Sequence, residues 1–189
     1  MINIYPLSNY TFGNTEEDSN EGQVKIGKYD KMRTLFETQG TVHSVRAVFL
    51  IHNKKHPNIF VFSKKSDESL VIPGGKLEVG EDEEEGLKRI LKEKVIPSGD
   101  FEILDHICTW YRPQFSSYMY PYLPVHISTP KEIEKWFIVT LNEKQKLTIP
   151  AKYIIKALPF YEINSNNSFG TQLSTLPSLL SKFDFSFKE

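Results

Sequence analysis

Apolar positions along the chain follow two periods. The longest β-branched and aromatic run, residues 42–51, predicts a strand that charge interrupts once, at Arg46. Residues 52–57 read as a turn and 58–63 as the partner strand. A charged loop over 64–69 leads into a short strand at 70–72. Further strands are expected at 101–110, 135–141 and 153–163, the last interrupted by Pro159. Helical spacing governs 83–95, where Leu87, Ile90, Leu91 and Val95 share one face before Pro97 and Gly99 stop the helix. It also fits 23–39, with Ile26, Tyr29, Met32 or Arg33, and Phe36 on one side and Gly40 at the end. A short amphipathic helix over 175–183 gathers Leu176, Leu179, Leu180 and Phe183. Residues 1–13 read as an extended segment packed on the domain, and 14–22 as a polar, acidic loop. No repeat or linker divides the chain. The expected organisation is one globular unit of α/β (α+β) class, with an N-terminal segment and helix over 1–40 and the main domain over 41–189.

Composition narrows the function. A chain of 189 residues with 39% hydrophobic content can bury a sizeable core. A net charge of −1 argues against charge-driven nucleic-acid binding, but not against reading a few unstacked bases. No apolar run is long enough for a membrane span. The first residues have neither the basic start nor the apolar core of a signal peptide. Cys108 is the only cysteine, so no internal disulfide forms and a reducing compartment is expected. It lies in an apolar run and reads as a small core residue. The histidines have no metal-ligand spacing, and no cofactor is expected. The aromatic and proline-rich stretch from Trp110 to Pro124 is too long for a tight turn and reads as a packed loop or a partner site.

The stretch from Val71 to Val95 resembles the Nudix box. Gly75, Glu81, Arg89, Leu91 and Glu93 fit that pattern. Ile90 and Lys94 stand where the family has its first and third helical glutamates, and Ile96 replaces the terminal glycine. Helical carboxylates at i, i+3 and i+4 would form the face that holds magnesium on a pyrophosphate. One carboxylate beside an ammonium gives little field for a divalent cation. The resemblance therefore implies a Nudix fold, a mixed β-sheet sandwiched between helices, without the usual metal site. Glu81 to Glu85 then read as dipole complement and solvated surface.

A closer resemblance covers nearly the whole chain. The N-terminal Ile4-Tyr-Pro-Leu-Ser-Asn-Tyr-Thr-Phe-Gly13, the Pro-Gly-Gly box, Trp110-Tyr-Arg-Pro, Tyr120-Pro-Tyr-Leu-Pro and Leu176-Pro-Ser-Leu-Leu-Ser occur in one order. Together they resemble the small Nudix-fold subunit of pre-mRNA cleavage factor I. That family implies a nuclear, non-catalytic homodimer that acts in 3′-end processing, binds UGUA elements and docks a larger subunit through its RNA-recognition domain. It also implies a pocket able to hold a dinucleotide without hydrolysis. Its partner-contacting tyrosines match Tyr120 and Tyr122, and a leucine of its C-terminal helix matches Leu180. Its RNA-reading positions match Lys28 for an arginine, Arg46 for a glutamate, Asn20 or Glu21 for a loop glutamate, and Phe169 for a tyrosine. The base-stacking phenylalanine matches Ser69, or Leu70 after a one-residue slip, and no aromatic lies between Phe62 and Phe101. The base-reading set is thus rewritten while the partner surface is kept, which implies altered or weak RNA specificity. The alternatives are a dimeric scaffold with little RNA selectivity and an active hydrolase of nucleoside polyphosphates.

Overall fold

The computed structural model describes residues 1–15 and 27–189. In chain order the elements are β1 (Ile2–Ile4), β2 (Tyr10–Asn14), α1 (Lys28–Gln39), β3 (Val42–Asn53), β4 (His56–Lys64), β5 (Leu70–Val71), β6 (Gly74–Lys76) and α2 (Glu83–Lys94). There follow β7 (Phe101–Arg112), β8 (Glu132–Leu141), β9 (Gln145–Ile149), β10 (Tyr153–Pro159), α3 (Phe160–Ile163), α4 (Gly170–Ser174), α5 (Leu176–Leu180) and β11 (Phe185–Phe187).

A mixed sheet in the order β10-β4-β3-β8-β7 carries the fold, with β5 on β4 and β6 on β3. Only the β3–β8 pair is parallel within it. Both faces are covered, which explains why β3, β4 and β8 read as nearly unbroken apolar runs. Alternation still sorts their side chains. Val45, Ala47, Phe49 and Ile51 of β3 pack against Leu87, Ile90 and Leu91 of α2. Val48 and Leu50 face Leu173, Leu176 and Leu180 on the opposite side, together with Ile2 and Ile4.

The helix α2 forms as its pattern requires. The Asp82 carboxylate caps it by accepting from the Glu84 and Glu85 amides at 3.1 and 3.2 Å. Acids fill its first turn and Lys92 and Lys94 its last, matching the dipole at both ends.

Several expected boundaries shift. The turn expected over 52–57 shrinks to Lys54 and Lys55, both with positive φ, because the hairpin register pairs Asn53 with His56. The strand expected over 153–163 ends at Pro159, which starts the helical turn α3 instead. The helix expected over 175–183 shortens to α5, and the separate helical turn α4 precedes it. The first helix is described only from Lys28 onwards, so the expected start over 23–27 falls mostly outside the described residues. Beyond the sequence expectation the glycine turn continues as β6 on β3, and in two long-range pairings β9 runs parallel to β2 and β11 parallel to β1. Both long-range pairings tie the N-terminal segment to distant parts of the chain.

Candidate functional site

A cavity of about 380 Å³ opens where α1, β3, β5, β8 and the segment before α4 meet. Lys28, Arg46, Leu70 and Phe169 all line it. Four positions far apart in sequence are thus brought together. Ser69 is turned aside, its hydroxyl donating to Asp67 Oδ1 at 2.7 Å, so Leu70 supplies the wall. Asn20 and Glu21 lie outside the described residues.

Sequence reasoning missed the residue that organises the cavity, Glu134 on β8. Parallel pairing of β3 with β8 sets Arg46 opposite Trp136, two residues along the strand from Glu134. Glu134 Oε2 accepts from Arg46 Nε at 2.7 Å. Its Oε1 accepts from Trp136 Nε1 at 2.9 Å and Gln172 Nε2 at 3.1 Å. The Glu134 side chain is 6% exposed and that of Arg46 23%. Burial alone would raise the Glu134 carboxyl, but the Arg46 charge and these donors outweigh it and hold the carboxyl below its ordinary range. Arg46 Nη1 also donates to the Ile72 carbonyl at 3.3 Å. The Arg46 guanidinium is therefore largely committed inside the protein.

A second buried pair repeats the device across the β7–β8 ladder, where Arg112 Nε donates to Glu132 Oε2 at 2.8 Å. Ser44 satisfies the other oxygen of Glu132 at 2.6 Å. Arg112 also donates to the Ser116 carbonyl, which holds the start of the aromatic loop. Phe115 of that loop sits edge-on to Phe36 of α1 at 5.8 Å. Lys131 Nζ lies over the Phe36 ring at 4.0 Å. These contacts fix α1, and with it Lys28, beside the loop. Tyr118 and Met119 from the loop complete the cavity. Tyr118 is well exposed and offers a ring that no residue between Phe62 and Phe101 can supply.

Further along the loop, Tyr120 exchanges both backbone hydrogen bonds with Tyr111, at 2.7 and 2.8 Å. Its ring lies 5.8 Å from that of Tyr122, which is 60% exposed. Leu180 is placed differently. It is fully buried in the core beneath α5 and presents no surface for a partner.

At the Nudix-like turn, a Cβ on Gly74 would run into the Val45 carbonyl oxygen, so only glycine lets β6 approach β3 this closely. Glu81 corrects the reading of it as solvated surface. Arg89 Nε and Nη2 both reach its carboxylate at 2.7 Å, and the Glu78 amide donates to it at 2.8 Å. The Arg89 hydrogen bonds, with the Glu78 amide, pull its carboxyl down to about 2. The clamp ties the acidic loop to α2. The residues do not fit a divalent cation. Ile90 is 1% exposed in the core, and Glu93 is turned towards Arg89 Nη1 at 3.6 Å. The Lys94 ammonium and the Ile90 side chain both crowd Gly75, where carboxylates would have to converge. Among the described residues no His, Cys, Asp and Glu cluster has metal-binding geometry.

Comparison with known proteins agrees with this architecture. The family model NUDIX_2, described as a nucleotide hydrolase, matches residues 1–183. A C. elegans Ap4A hydrolase binary complex superposes with a TM-score of 0.55 at 16% identity, covering 76% of this chain and 97% of that one. A UDP-X diphosphatase gives 0.51 at 14%, covering 86% and 75%. These show a Nudix fold. Cleavage and polyadenylation specificity factor subunit 5 of Dictyostelium discoideum is 36% identical over 185 residues, 94% of this chain and 91% of its own. Pre-mRNA cleavage factor Im 25 kDa subunit 2 of Arabidopsis thaliana is 34% identical over 193 residues, 98% and 95%. Subunit 1 of the same plant is 33% identical over 195 residues, 100% and 87%. The chain belongs to the Nudix family and, within it, to the group of small cleavage factor I subunits.

Proposed function

We propose that this protein is a non-catalytic, nuclear subunit of pre-mRNA cleavage factor I that binds single-stranded pre-mRNA and contributes to poly(A)-site choice. In this reading it forms a homodimer and docks a larger subunit through that partner's RNA-recognition domain. The names of its relatives support the process. One observation carries the binding role: Lys28, Arg46, Leu70 and Phe169 converge on one cavity rimmed by the exposed ring of Tyr118. Such a cavity pairs cations with stacking surfaces, as recognition of unstacked bases requires. The side chains at the Nudix turn support the absence of hydrolysis, since Ile90 and Lys94 crowd Gly75. Tyr120 and Tyr122 would contact the partner, with Leu180 supporting that surface from beneath.

The test is fluorescence anisotropy of the purified chain with a UGUA-containing RNA, a scrambled control and a random pool, at one fixed salt. Selective binding to UGUA, or enrichment of another short element from the pool, is the expected result. Failure to enrich any sequence would refute the base-reading role. A second reading, a dimeric scaffold with little RNA selectivity, is favoured by the commitment of Arg46 Nε to Glu134. Under either reading, Tyr120→Ala with Tyr122→Ala abolishes pull-down of the larger subunit while the variant stays folded.

A further inference from the structure

We infer that bound RNA continues beyond the base-reading cavity along a basic furrow across the former hydrolase face, its phosphates resting on Lys94, Lys152 and Lys65. The inference rests on the RNA-binding reading above and extends it to a separate subsite. Arg46, Val71 and Ile72 are the wall between the first cavity and a second of about 250 Å³. The far side of that second cavity carries Lys94 and Lys152. Lys152 in turn borders a third hollow of about 330 Å³ with Lys64, Lys65 and Ser66. The three hollows thus run end to end, each sharing wall residues with the next.

Local structure explains the alignment. The Lys65 amide donates to the Lys152 carbonyl at 3.0 Å, and the ladder sets Tyr153 opposite Lys64. Lys94 reaches the furrow from the last turn of α2, in the place where the Nudix pattern has a carboxylate. A position built to hold a metal over phosphate thereby becomes a cation that meets phosphate directly. The furrow also has an aromatic wall: Phe62 and Tyr153 stack at 5.5 Å and 24°, with Lys152 Nζ 5.4 Å from the Tyr153 centroid.

Charge makes the furrow more than a solvated face. The whole chain carries −1, yet the second and third hollows are lined by Arg46, Lys94, Lys152, Lys64 and Lys65 with no carboxylate among the described residues. Among the described residues, Lys65, Lys94 and Lys152 make no ion pair, whereas Arg46 is paired with Glu134 at 2.7 Å and Lys64 meets Asp67 at 3.8 Å. Cations in a line, backed by a ring, suit a phosphodiester strand better than a compact anion.

The experiment measures the salt dependence of binding for two RNAs, the minimal UGUA element and the same element with uridine tails of about eight nucleotides on both sides. The wild-type chain is compared with Lys65→Gln/Lys94→Gln/Lys152→Gln, all three exposed and outside the base-reading cavity. For the tailed RNA the slope of log K against log salt should weaken by about 2, since each phosphate neutralised on a single strand contributes roughly 0.7. Binding of the minimal element should not change. A control at the exposed Lys31, Lys182 and Lys188 should leave both slopes intact. An unchanged slope in the furrow variant, or an equal loss in the control, overturns the furrow while leaving the base-reading cavity standing. If wild type binds neither RNA, both readings fall.

Discussion

Replacing Glu134 by Gln tests whether the cavity rests on a buried ion pair. The substitution keeps the shape and removes the charge. Arg46 then retains the Ile72 carbonyl at 3.3 Å and faces a neutral amide where it had a carboxylate at 2.7 Å. Breaking one side of a buried pair costs about 3–5 kcal/mol. Arg46 is 23% exposed, so its stranded charge reaches water and the lower end applies, about 3 kcal/mol. Urea unfolding followed by circular dichroism measures the difference. The double variant Arg46→Met/Glu134→Leu should recover most of it, since a well-packed apolar pair can replace a buried ionic one. The pH dependence has a definite sign. Glu134 titrates below its ordinary value of 4.5 in the folded chain. Its contribution is therefore full above that value and disappears as pH falls through the lower folded one. The gap between wild type and Glu134→Gln should narrow on acidification and stay constant near neutrality. A cost below about 1 kcal/mol, or a double variant equal to the sum of the singles, would refute the pairing argument. The same geometry predicts that Arg46→Glu, which introduces the glutamate that the resemblance implies for this position, sets two carboxylates together and destabilises the fold unless Glu134 is neutralised as well.

Three further outcomes follow from packing. Leu180→Ala should cost about 2–5 kcal/mol in urea unfolding, because Leu180 is a fully buried core side chain; wild-type stability would place it at the surface instead. Gly74→Ala should destabilise by about 1–3 kcal/mol and disturb the neighbouring Arg46, read as a lowered urea midpoint and weaker RNA anisotropy. Burial pushes the Cys108 thiol up to about 12, so iodoacetamide at mild alkaline pH should label it far more slowly than a free thiol, until urea unfolds the chain.

The elements legible in the sequence are those whose signals are local. The helix α2 shows its cap, its dipole complement and its apolar stripe within one stretch, and it forms over Glu83–Lys94. The strands β9 and β11 escape a sequence reading because each is a short edge piece whose partner, β2 or β1, lies at the other end of the chain. Nothing in five or three residues announces a pairing across such a distance. Lys28, Arg46, Leu70 and Phe169 can be chosen from the sequence only through the family resemblance. Their convergence depends on the parallel β3–β8 register, which no single segment encodes.

Glu134 is the instructive case, because its signal is present in the sequence. The apolar run predicts a strand from Lys135, with Glu132 and Glu134 ahead of it. They are instead strand positions of β8, almost fully buried. An arginine inside an otherwise apolar strand cannot be buried without a partner. Arg46 therefore demands a carboxylate somewhere in the fold, and Arg112, at the end of another strand, demands a second. Two glutamates alternating into the start of a strand, Glu132-Ile-Glu134-Lys-Trp-Phe, are the available pair. The chain satisfies both demands with adjacent inward positions of one strand, at 2.8 and 2.7 Å. The charge at position 46 is thus held by the scaffold first, and only what remains of its guanidinium faces the cavity.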